Sequence, residues 1–125
     1  MLTHDKALAL SSIETELLRD LRSRLNRRAV SDAALNALGA AFLQASARVD
    51  LGDGEPIAVA NLSVEAVIKA AATADMKVLA RLVATLGAER KKSPKAWPAL
   101  VAAGAPQAIL SRRLALAGRE QPVEV

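Results

Sequence analysis

Between Leu10 and Leu25 the apolar residues recur with the period of a helix. Leu10, Ile13, Leu17, Leu18, Leu21 and Leu25 gather on one side at about 100° per residue. Arg19, Arg22 and Arg27 point largely away from that stripe. Arg24 and Arg28 lie at its edge, where their aliphatic stems cover apolar surface. Ser11 followed by Glu14 reads as a capping box, and Thr3 as the cap of an earlier start. The pattern predicts an amphipathic helix with one leucine face and one arginine face.

Ser31-Asp32 predicts the start of a second helix, with Leu35, Leu38, Phe42 and Val49 inward and an end near Asp50. Two glycines and a proline between Leu51 and Pro56 end any helix there. Ile57, Val59 and Leu62 alternate with smaller residues, but no second run of that kind follows to pair with them. An extended connector is expected in preference to a strand.

Ser63 caps the next helical stretch, and here the pattern conflicts with itself. In one unbroken helix to Gly87, Val64, Ile68, Leu79, Leu82 and Leu86 share a face with Asp75 in its middle. A lone buried carboxylate is costly unless it is paired or neutralised. Breaking the helix and using Thr73 or Asp75 as a new N-cap removes that cost. Two helices are therefore predicted, about 64–72 and 75–87, with Gly87 as the C-terminal cap. A continuous helix with Asp75 bonded to a basic side chain is the competing solution. Residues 89–95 read as a polar linker. Trp97-Pro98 opens a short helix to about Ala103, and Gly104-Ala105-Pro106 leads into a last one bearing Ile109, Leu110, Leu114 and Leu116, ended by Gly118. The expectation is an all-α compact bundle of about five or six short helices. It forms one domain over residues 1–118, with a frayed tail from Arg119 to Val125. The stretch from Leu100 to Leu110 resembles the turn between helices of an armadillo repeat. The resemblance covers this one segment, and a solenoid needs several stacked copies, so no function is carried over from it.

Composition sharpens the picture. The chain has 125 residues, 52% of them hydrophobic, but only one phenylalanine (Phe42), one tryptophan (Trp97) and no tyrosine. Alanine buries little area, so helices built on it must approach closely to gain contact energy. A homodimer through the leucine face, Leu17, Leu18, Leu21 and Leu25, would bury more, and is expected on that ground. Trp97 beside Pro98 is expected as a core anchor. Cysteine is absent, no signal-peptide pattern opens the chain, and no apolar run approaches the roughly 20 residues of a membrane span. A cytoplasmic location away from membranes is expected.

Charge is unevenly spread. Residues 1–30 carry six basic against four acidic groups, and 31–62 one against four. Residues 63–89 balance three against three, and 90–125 carry seven against two. Two basic clusters stand out: Arg19, Arg22, Arg24, Arg27 and Arg28, then Arg90, Lys91, Lys92 and Lys95. Both suit carboxylates or phosphates, with Arg112 and Arg113 as further members of one joint surface. The plainer account is a solvated helix face in the first case and a helix-ending linker in the second. The helix–break–helix of 63–87 also fits, weakly, a helix-turn-helix with Lys77, Arg81 and Thr85 exposed.

Catalysis finds little support. His4 is the only histidine. Asp50, Asp53 and Glu55 lack the ligand run of a calcium loop, and no phosphate loop, serine elbow or zinc spacing appears. No metal or cofactor is expected. The leading expectation is a non-enzymatic regulatory or adaptor protein binding an acidic protein partner through helical surfaces. The second is a DNA-binding protein with Arg22, Arg27, Lys91, Lys92 and Lys95 on phosphates.

Overall fold

A computed structural model describes residues 9–27, 31–57 and 63–118. Thr3, His4, Arg28, Val59, Leu62 and the tail from Arg119 lie outside the described residues. Among the described residues six helices follow one another: α1 (Ser12–Asn26), α2 (Asp32–Arg48), α3 (Val64–Ala72), α4 (Met76–Lys92), α5 (Trp97–Ala102) and α6 (Ala105–Leu116). No strand occurs among the described residues. None of these helices is long and apolar enough to cross a membrane.

The helix starts follow local chemistry. Ser11 accepts from the Glu14 amide at 3.0 Å while Glu14 accepts from the Ser11 amide at 2.9 Å, a complete capping box. Ser31 and Ser63 cap α2 and α3 by accepting from Ala34 and Ala66. Asp75 accepts from the Val78 amide at 2.9 Å and is exposed at the start of α4, so the conflict in the hydrophobic pattern resolves as a break. The far end of α4 differs from expectation. Gly87 does not terminate it, and the helix continues to Lys92 with Ser93 as its cap. Leu86 before Gly87 is buried, and Arg90, Lys91 and Lys92 sit in the last turn, where cations favour helix over linker.

The end of α2 is closed by a left-handed residue that is not glycine. Asp50 has φ 68°, and the Leu51 amide reaches back to the Ser46 carbonyl at 2.9 Å, the long bond of a Schellman turn. Leu51 is thereby turned into the core.

The last helix is the hub. α6 packs against α1, α3, α4 and α5, while α2 packs on α1, α4 and α5. Its Ile109, Leu110 and Leu114 are fully buried. Its polar side chains serve the ends of other helices. Gln107 donates to the Leu25 carbonyl at the end of α1 (3.1 Å), and Arg112 to the Ala74 carbonyl between α3 and α4 (2.8 Å). Arg113 donates to the Val49 carbonyl at the end of α2 (3.0 Å). Helices leave their last carbonyls without intrahelical donors, so each bond from α6 satisfies a group that burial would otherwise penalise.

The leucine face expected to meet a second copy is packed largely within the chain itself. Leu18, Leu21 and Leu25 are buried in the chain's own core, and Leu17 is half-buried against it. Ile13, at one end of the stripe, is 80% exposed instead.

Candidate functional site

The first basic cluster is largely tied down. Arg19 pairs with Glu16 at 3.6 Å and Arg24 with Asp20 at 3.1 Å along the same helix. Arg22, half-buried, donates to the Ser111 hydroxyl of α6 at 3.2 Å. Arg27 is exposed at the C-cap of α1, and Arg28 lies outside the described residues. Arg112 and Arg113 do not join an external surface with either cluster, because their side chains are spent on the helix ends just described. Burial lowers the Arg113 pKa from its ordinary value, and the carboxylates of Asp50 and Glu14 oppose that shift.

The helix-turn-helix positions are also partly consumed. Lys77 is exposed, but Arg81 donates to the Glu55 carbonyl at 3.3 Å. Thr85, expected on the surface, is buried. Its hydroxyl donates to the Arg81 carbonyl at 2.7 Å and accepts from the Ile57 amide at 2.8 Å. The connector after α2 is thus stitched to α4. At Gly54 an added Cβ would lie 2.3 Å from the Ala80 carbonyl, so only glycine lets the connector approach this closely.

Three members of the second cluster stay available. Arg90, Lys91 and Lys95 are exposed and carry no ion pair or hydrogen bond to another side chain among the described residues; Lys92 is exposed beside them. Arg90 and Lys91 line a groove of about 650 Å³ between α2 and α4. On the α2 side it is lined by Asn36 and Leu43, and the connector adds Gly54 and Pro56. On the α4 side Ala84, Gly87, Ala88 and Lys91 follow one another at helical spacing, with Arg90 next to them. Pro94 and Trp97 complete the lining.

Trp97 holds this region together. It is 1% exposed, as expected of a core anchor, and its indole lies on Gly39 of α2. A Cβ at Gly39 would fall 2.4 Å from Nε1, so the ring occupies the place of a side chain. The indole nitrogen has no hydrogen-bond acceptor among the described residues. Gly39 lies between Asn36 and Leu43 on the same face of α2, which brings the ring to the groove's α2 wall.

A second hollow of about 580 Å³ opens beside the first, sharing Gly54. Asp50, Asp53 and Glu55 meet Lys77 and Arg81 around it. No group of three or more metal-ligating side chains assembles among the described residues.

Sequence reading found the cations but missed the groove. Its signal is the small-residue spacing Ala84, Gly87, Ala88 on α4, which is hidden where Gly87 reads as a helix end. No family model, curated protein or solved structure matches this chain.

Proposed function

We propose that this chain is a non-enzymatic regulatory or adaptor module that binds an acidic protein partner through the basic C-terminal end of α4. One observation carries the reading: Arg90, Lys91 and Lys95 are exposed without acidic partners among the described residues, whereas Arg19 and Arg24 are paired within their own helix. Paired surface arginines gain little by exchanging one carboxylate for another. Unpaired cations at a helix end keep their full attraction for an incoming anion.

DNA binding is the competing reading, and the placement of charge counts against it. A recognition helix reads bases with its N-terminal residues. Here Lys77 is the exposed cation near the start of α4, while Arg90 and Lys91 stand at its other end, Lys91 about 21 Å along the axis from Lys77. Thr85 and Arg81 are engaged with the connector.

The test is a salt titration of the purified protein against an acidic peptide and against random-sequence duplex DNA. Wild type is compared with Arg90→Glu/Lys91→Glu and with Arg22→Glu/Arg27→Glu. The proposal expects peptide binding that the α4 reversal abolishes and the α1 reversal leaves largely intact. Tighter binding to DNA with a steep salt slope would replace it with the nucleic-acid reading.

A further inference from the structure

We infer that the groove between α2 and α4 is a docking site for an acidic peptide segment of a partner protein, which seats one apolar side chain in the groove and places carboxylates on Arg90 and Lys91. The inference rests on the reading of the basic end of α4 as the partner-binding surface, and adds how that partner is recognised.

Three observations lead to it. The first is Gly87. The glycines at 39 and 54 are required by contact, since an added Cβ would strike Trp97 or the Ala80 backbone. At Gly87 an added Cβ would meet only Leu43 Cδ2, at an ordinary 3.9 Å. A glycine inside a long helix works against helix propensity, and here no neighbour demands it. What its missing side chain does provide is the open space between α4 and Leu43.

The second observation is volume and lining. About 650 Å³ lies within the range of sites that take small ligands or a few side chains. Leu43, Pro56, Ala84 and Ala88 offer an apolar surface to an aliphatic or aromatic side chain.

The third is charge. Arg90 and Lys91 line the groove, and Lys95 is exposed just beyond the end of α4. The acidic side chains of the connector, Asp53 and Glu55, line the neighbouring hollow with Lys77 and Arg81 instead. An apolar floor beside unpaired cations complements an apolar residue flanked by carboxylates. A nucleic acid fits less well, because the only aromatic ring lining the groove among the described residues is Trp97, which is buried against Gly39 and offers no stacking platform.

The experiment uses fluorescence anisotropy with the full chain and four labelled probes. These are a short Glu-rich peptide with one central Leu, the same peptide with Ser for Leu, a Lys-rich version, and duplex DNA. Two variants fill the groove. Gly87→Leu projects from the open Cβ position, and Ala88→Met sits at an exposed position the core does not use. Circular dichroism checks that both keep the helical fold. The expected result is binding of the Leu-containing acidic peptide, weakened about tenfold by Ser for Leu and by either filling variant, and absent for the Lys-rich peptide. If Ser for Leu and both filling variants leave the affinity unchanged while Arg90→Glu/Lys91→Glu removes it, the groove is not the site and the basic-end reading stands alone. If neither acidic peptide binds, or if DNA binds and the peptides do not, both readings fall.

Discussion

Arg113, fully enclosed on α6, donates from Nε to the carbonyl oxygen of Val49 at 3.0 Å and so closes the end of α2 from outside that helix. The same helix reaches the ends of α1 and the α3–α4 turn through Gln107 and Arg112. One short helix therefore satisfies carbonyls at the ends of two others and in the turn between a further pair.

Shortening this side chain tests that role. Arg113→Ala leaves both a cavity and an unsatisfied carbonyl, and should destabilise the fold by about 3–5 kcal/mol. Arg113→Met keeps most of the volume and removes the charge that burial penalises. It should lose only about 1–2 kcal/mol, chiefly from the unmet Val49 carbonyl. Urea denaturation of both variants measures the difference. Equal losses would mean that volume and hydrogen bonding are not separable at this position.

The two glycines inside helices, Gly39 of α2 and Gly87 of α4, behave differently, and substitution should expose that. Gly39→Ala forces the Trp97 indole off α2 and should cost about 1–3 kcal/mol. The sole tryptophan reports the displacement directly, as a red shift of its emission. Gly87→Ala meets no close contact and should stabilise the chain by up to about 1 kcal/mol. Thermal denaturation of the pair checks both signs.

Asp75 decides whether residues 64–92 form one helix or two. Asp75→Ala removes the acceptor of the Val78 amide and should cost about 1 kcal/mol, while Asp75→Ser, which can also cap, should cost much less. Chemical denaturation gives both values. A stabilised Asp75→Ala would argue for the continuous helix.

Thr85 holds the connector to α4 through the Ile57 amide. Thr85→Val keeps the shape and deletes the acceptor, which should cost about 1–2 kcal/mol. Hydrogen exchange at Ile57 should quicken before that of the α6 core. Uniform acceleration across the chain would show instead that the connector opens only with global unfolding.

Much of this was legible in local chemistry. Ser11 with Glu14, Ser31 and Ser63 announce helix starts because a side-chain oxygen three residues ahead of an amide needs no tertiary partner to cap it. Asp75 revealed the α3–α4 break because a carboxylate on an apolar face is expensive wherever that face packs. Trp97 declared itself a core anchor by size and by the proline after it. The same local logic failed at Gly87, since a glycine near basic residues looks like a helix end when its neighbours across space are unknown.

The order of residues alone was enough for an all-α chain, for where most helices begin, and for two concentrations of positive charge. Those are set by contacts within a few residues and by composition. Packing in three dimensions was needed to show that the leucine stripe of α1 belongs to the core, that Arg112, Arg113 and Thr85 face helix ends and connector, and that Arg90 and Lys91 border a groove. Each of those depends on partners dozens of residues away, such as Val49 for Arg113 and Leu43 for Gly87. Periodicity assigns a residue to a face, and packing alone decides what that face meets.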